Sequence, residues 1–136
     1  MTGVQTCALP ICWEDDILLP EELSNRIYIK HLEGPLFFGF VSQFRDLVRT
    51  IPTVNYVIIR MKHVPYIDLS GLYALEDSIL YLQSKGITVL ITGCQPQPLD
   101  MLKVISCIPV LVPEKHIFPE FTDCIAWIKK KYDIHD

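Results

Sequence analysis

Apolar and polar positions along the chain change period several times, and each change marks an element. Arg26-Ile27-Tyr28-Ile29-Lys30 alternates polar and apolar, the pattern of a half-buried strand. Glu33-Gly34-Pro35 is turn chemistry, and Leu36-Phe37-Phe38 follows as a short second strand, so the two are expected to pair as a hairpin. From Gly39 the period lengthens: Phe40, Val41, Phe44, Leu47 and Val48 share one face of a helix that Pro52 ends. Tyr56–Met61 is a β-branched run with little alternation, as expected of a strand covered on both faces.

Leu72, Leu75, Ile79 and Leu82 then form a helical stripe, closed by Lys85-Gly86 as a C-terminal cap. Ile87–Ile91 is a second buried strand. Pro98 suits the first turn of a helix that carries Leu99, Leu102 and Ile105. Val110-Leu111-Val112, between two prolines, is expected as a short strand, and Phe121, Ile125 and Ile128 mark a last helix. Strands alternating with helices imply an α/β fold: a mostly parallel sheet of about four or five strands, with right-handed crossovers and about four helices packed on it. The N-terminal hairpin would supply an antiparallel edge. The pattern contains no internal repeat and no second domain.

Composition narrows the function classes. With 136 residues, half of them hydrophobic, the chain suits one globular domain that buries a core without metals or disulfides. A formal charge of −4 argues against a nucleic-acid partner. The one dense basic run, Lys129-Lys130-Lys131, ends an apolar-periodic segment, where cations suit a helix C-terminus. The five cysteines show no CxxC pair and no metal-ligand spacing, so they read as core residues or free thiols of a reducing compartment. No apolar run approaches the roughly 18–20 residues of a membrane-spanning helix.

The first twelve residues, MTGVQTCALPIC, carry no charge, no hydrophobic period and no signal-peptide pattern. They read as the translation of a sequencing-adapter oligonucleotide, with a native tail as the alternative. On the adapter reading the gene continues upstream of Trp13 and the chain is the C-terminal remnant of something longer. The expected organisation is a non-native tail at 1–12, a linker or lead-in strand at 13–24, one domain at 25–132 and a tail at 133–136.

The stretch Tyr66-Ile67-Asp68-Leu69-Ser70-Gly71-Leu72 lies between a buried strand and its following helix, at the sheet end where open α/β folds bind ligands. Asp68 and Ser70 both suit an N-cap, and Gly71 lets the backbone approach another element or an anion. On physical grounds alone, capping and packing account for all three.

The order of these motifs resembles the STAS domain. A buried strand at Tyr56–Met61, then Ile67-Asp68-Leu69-Ser70-Gly71-Leu72, an amphipathic helix, Lys85-Gly86 and a second buried strand running to Gly93 carry the likeness. It extends from about Asn25 to Tyr132, with Pro98–Cys107 similar to the family's third helix and Ile117-Phe118-Pro119 to the approach to its last. The family has two branches. Anti-sigma factor antagonists are stand-alone signalling proteins whose serine directly after the Asp is phosphorylated. SulP-type (sulfate permease-like) anion transporters carry the domain as a cytoplasmic C-terminal extension of a membrane body.

Here the residue after Asp68 is Leu69, which has no hydroxyl, so an antagonist-type switch cannot operate at that position. Ser70 offers a neighbouring hydroxyl, but as a cap it would be engaged by its own backbone, and a phosphate there would meet Asp68. His31-Leu32-Glu33-Gly34-Pro35-Leu36-Phe37-Phe38 is similar to the hairpin of the transporter branch. The resemblance therefore implies a non-catalytic regulatory domain of a SulP-like sulfate or anion transporter, on the cytoplasmic side of the membrane. The stand-alone antagonist is the alternative.

The expected site is Asp68, Leu69, Ser70 and Gly71, for interaction, anion binding or phosphorylation. The neighbouring loop is Gly93, Cys94 and Gln95. The implied partner is the transmembrane domain of the same transporter. A cytoplasmic regulatory protein, a second copy of the chain and a weakly held nucleotide or anion stay open. No cofactor or metal is implied. Glu76 and Asp77 read as a solvated helix face. His31, His63, His116 and His135 are too dispersed to suggest a ligand set, and Cys107 and Cys124 sit in apolar surroundings.

Overall fold

The computed structural model describes residues 26–34 and 53–131. The first strand, β1 (Ile27–Glu33), is followed by β2 (Tyr56–His63), α1 (Leu69–Ser84), β3 (Thr88–Thr92), α2 (Pro96–Val104), β4 (Ile117–Phe118) and α3 (Phe121–Lys131). The strands form one sheet in the order β1-β2-β3-β4, and every described pairing is parallel. The expected segments 1–12, 13–24 and 133–136, the strand at Leu36–Phe38 that would complete a hairpin, and the helix at Phe40–Val48 lie outside the described residues.

The central strands are apolar on both faces because helices cover both. Toward α1 and α2, the sheet presents Val57, Ile59, Met61, Val89 and Ile91, which pack against Leu72, Leu75, Ile79, Leu82 and Leu102. Toward α3 it presents Ile27, Ile29, Tyr56, Ile58 and Leu90, which meet Phe121, Cys124, Ile125 and Ile128. Burying one such Leu or Ile side chain contributes roughly 1.5–3 kcal/mol, so the two layers together supply the main driving force.

Both ends of α1 are fixed by local chemistry. Asp68 is its N-cap: the carboxylate Oδ1 accepts the Gly71 amide at 2.8 Å. Ser70 does not cap. It is the second residue of the first turn and is half-buried, which corrects the expectation of two capping side chains. At the other end Gly86 adopts φ +79°, and its amide bonds Gln83 O at 3.0 Å while Ile87 N–H reaches Leu82 O at 3.1 Å. This pair of bonds closes the helix in a left-handed turn that a glycine accepts without strain.

Val110–Val112 is not a strand. Cys107–Leu111 is an irregular turn with extended backbone at Ile108 (φ −108°, ψ 124°), closed by Val112 N–H on Cys107 O at 2.9 Å, and Leu111 O accepts Gln83 Nε2 at 2.6 Å. Pro109 and Pro113 remove two backbone donors around this run, so a sheet ladder is unavailable to it. The fourth strand is instead Ile117–Phe118, paired with Ile91 and Thr92 on the edge of β3.

Candidate functional site

The carboxyl ends of β2 and β3 carry two features. The first is the start of α1. Leu69, directly after the cap, is 58% exposed; Tyr66, two residues before the cap, and Tyr73, one turn into the helix, are 45% and 50% exposed. Leu69 and Tyr73 are one helical turn apart and share a face turned away from the stripe of Leu72, Leu75, Ile79 and Leu82 that enters the core. Ser70 is half-buried in the same turn, and Gly71 is buried. Sequence reasoning singled out Leu69 for what it lacks and missed Tyr66 and Tyr73. For Tyr73 the available signal was its offset from the buried stripe.

The second feature is a cavity of about 270 Å³ between the ends of β2 and β3 and the first turn of α3. Gly93, Cys94 and Gln95 line it, together with Arg60, Lys62, Thr92 and Phe121. Arg60 is almost fully buried, and its guanidinium lies over the Phe121 ring, 4.1 Å from the centroid. Gly93 adopts φ +67°, and a Cβ there would stand 3.1 Å from Lys62 Cβ, so only glycine lets the loop pass this close to β2. Gln95 Nε2 donates to Lys62 O at 2.7 Å.

The two halves of the expected site are linked through one side chain but do not share the cavity. Gln97, in the first turn of α2, ties them: its amide accepts Ile67 N–H at 2.9 Å and donates to Ile67 O at 3.1 Å. Asp68–Gly71 do not line the cavity, whereas Gly93–Gln95 do.

Among the described residues Cys94, Cys107 and Cys124 are free thiols, the first half-buried and the other two buried. Burial pushes the Cys94 and Cys124 thiols up to about 12 and the Cys107 thiol to about 11, the last aided by Glu76. Thiols held neutral in this way are poor nucleophiles at physiological pH. Glu76 is half-buried and Asp77 exposed. His63 Nδ1 lies 3.2 Å from Glu33 Oε2, and His116 meets Trp127 edge-to-face with ring centroids 5.3 Å apart. Among the described residues no group of three His, Cys, Asp or Glu side chains is placed to hold a metal, and no helix is long and apolar enough to cross a membrane.

The STAS domain family model matches residues 21–123, which takes in the sheet, the Asp68 turn and both features. The chain belongs to the STAS domain family. Its STAS fold superposes on the sulfate transporter family protein of Wolinella succinogenes with a TM-score of 0.71 and 25% identity, covering 79% of this chain and 88% of that one. Against the SulP transporter STAS domain of Vibrio cholerae the TM-score is 0.68 at 29% identity, over 79% and 84% of the two chains. In sequence it is 26% identical over 106 residues to the bicarbonate transporter BicA of Synechocystis, covering 71% of this chain and 19% of that protein. The chain thus spans about a fifth of BicA's length. Its structural neighbours and this relative place it with the STAS domains of SulP-type transporters.

Proposed function

We propose that this STAS domain is a regulatory, non-catalytic interaction module that serves a SulP-like anion transporter from the cytoplasmic side and acts by contact with the transporter's membrane domain. The observation that carries this reading is the exposed apolar surface of Tyr66, Leu69 and Tyr73 at the start of α1. Exposed aromatic and leucine side chains grouped at one helix end favour burial against a partner. Leu69 and Tyr73 follow the Asp68 cap within α1, so contact with them is transmitted to α1 and the sheet as a unit. Similarity to SulP-type relatives supports the choice of partner, and Leu69 leaves the position after Asp68 without a phosphate acceptor.

Regulation then works by differential contact: a surface that meets the membrane domain in one transport state more than in another biases the populations of the two. The test is transport by the whole transporter, reconstituted with Leu69→Asp and Tyr73→Asp together. A changed turnover with the domain still folded, as judged by circular dichroism, is expected. Unchanged transport overturns the contact reading. The coding sequence upstream of Trp13 tests the setting separately: several long apolar segments in frame are expected there, and a short self-contained reading frame contradicts it.

A further inference from the structure

The outward face of α1 carries apolar surface well beyond its first turn. Among the described residues, five of the seven exposed large hydrophobic side chains lie between Tyr66 and Tyr81, so this surface is concentrated on and around one helix. Leu69, Tyr73, Glu76 and Leu80 follow one another at steps of four, three and four residues, which sets them in a single line down the helix. Leu80, about three turns beyond Leu69, is 45% exposed. Steps of this kind make the seam along which two helices pair. This one faces away from the stripe of Leu72, Leu75, Ile79 and Leu82 that already packs on the sheet. Tyr81 is offset from the seam, with Lys85 Nζ 5.4 Å from its ring centroid.

The charge on this face has one sign. Glu76 sits half-buried in the line, Asp77 is exposed beside it, and α1 has no Lys or Arg in its 16 residues. That charge selects the occupant. A second copy pairing α1 on α1 would bring two more acids to the seam in either direction, and an anionic bilayer surface would repel the two already there. A helix with apolar residues at the same steps and a Lys or Arg opposite Glu76 matches every position of the line. One charged position in a seam also fixes its register, since a slip sets the acid against an apolar side chain.

We propose that the outward seam of α1 receives a basic amphipathic helix from the cytoplasmic side of the transporter's membrane domain. On the docking reading above, on which this rests, contact then runs along about three turns of α1 instead of its start alone. Cytoplasmic ends of membrane-spanning segments carry an excess of Lys and Arg, the charge that Glu76 and Asp77 require of a partner.

The experiment is photo-crosslinking in the reconstituted whole transporter, with benzoylphenylalanine replacing Leu69, Tyr73 or Leu80 and the adducts mapped by mass spectrometry. All three positions are expected to label one stretch of the membrane domain that carries Lys or Arg, with the Leu69 and Leu80 adducts about three helical turns apart. Glu76→Lys and Asp77→Lys are each expected to lower the yield from positions 69 and 80 about threefold. Changing the labelled cation to Glu in the Glu76→Lys background is expected to restore it. Asp77→Lys, at an exposed position, keeps the test decisive if Glu76→Lys fails to fold. Adducts from positions 69 and 73 with none from 80 overturn the seam and leave docking at the helix start standing. Adducts on a second copy, on lipid or on a stretch without cations overturn the choice of partner, as do yields unchanged in folded Asp77→Lys. Absence of membrane-domain adducts from all three positions overturns the docking reading as well.

Discussion

Gln97 holds Ile67 by both of its backbone polar groups, accepting the amide at 2.9 Å and donating to the carbonyl at 3.1 Å. A side-chain amide here does the work of a neighbouring strand, because Ile67 is fully buried at the point where β2 has ended and α1 has not begun. Replacing Gln97 with leucine removes both partners and leaves a buried N–H and C=O unmatched, at a cost of about 1–3 kcal/mol. Gln95→Leu, two positions earlier and bonded to a carbonyl on exposed Lys62, is expected to cost less. Urea midpoints of the two variants, compared at equal slope, check the ranking.

The cap of α1 gives a second prediction. Asp68 supplies the side-chain cap to this helix start, so Asp68→Ala is expected to cost about 1 kcal/mol and Asp68→Asn much less, since an amide oxygen also caps. Ser70→Ala is expected to leave stability nearly unchanged, because the serine does not cap. Thermal or urea unfolding of the three variants separates a one-residue cap from a shared one.

Two glycines with positive φ are expected to respond unequally to alanine. At Gly86, with φ +79° and nothing within 4 Å of an added Cβ, the cost is the backbone strain alone, about 1 kcal/mol. At Gly93 the same strain is joined by a Cβ standing 3.1 Å from Lys62 Cβ and 3.2 Å from its Cα. Gly93→Ala is therefore expected to be the more destabilising and to displace the loop that walls the cavity. Denaturation midpoints, with the Gly93-region amide shifts as a local readout, test both statements.

What the sequence revealed and what it hid follow from the range of the forces involved. The stripe Leu72, Leu75, Ile79 and Leu82 and the run Tyr56–Met61 were legible because periodicity is local, and all of these residues are buried. Val110–Val112 misled because its β-branched pattern is that of a strand, while Pro109, Pro113 and the Gln83 bond to Leu111 O take away the partners a strand needs. Ile117–Phe118 is too short to show a period, and pairing with Ile91 and Thr92 alone makes it a strand. Asp68, Leu69, Ser70 and Gly71 were legible as a motif, but which of two hydroxyl or carboxyl groups caps was decided by backbone placement. Arg60 was legible only as part of a strand, since its place in a polar row comes from its alignment with His31 and Thr92 on separate strands.

The buried thiols give a pH prediction. Folded values near 12 for Cys94 and Cys124 and near 11 for Cys107 lie above the ordinary 9.0, with burial as the leading cause at each. Below the ordinary value both folded and unfolded chains hold these protons, and stability is complete. Above it the unfolded chain releases protons that the folded chain retains, so stability declines from about pH 9 and continues to decline until the folded thiols ionise. Cys124→Ala is expected to flatten part of this decline, measured as the difference in urea midpoint between pH 8 and pH 10. In the native state at pH 8, alkylation of Cys94, Cys107 and Cys124 mapped by mass spectrometry is expected to be far slower than in urea.

Leu69 and Leu72 make the sharpest contrast in the molecule: they lie on the same helix, less than one turn apart, at 58% and 0% exposure. Leu72→Ala opens a cavity against the sheet and is expected to cost roughly 2–5 kcal/mol. Leu69→Ala and Leu69→Ser are expected to change stability by no more than about 0.5 kcal/mol, as for other surface positions. If Leu69→Ser proves as costly as Leu72→Ala, Leu69 belongs to the fold and the apolar surface with Tyr66 and Tyr73 loses its meaning as a contact. If stability is unchanged, the leucine is not there for folding, and its side chain is free to be buried against a partner. The same variant restores a hydroxyl directly after Asp68, so unaltered folding together with weakened coupling to a transporter would tie the apolar character of this position to docking.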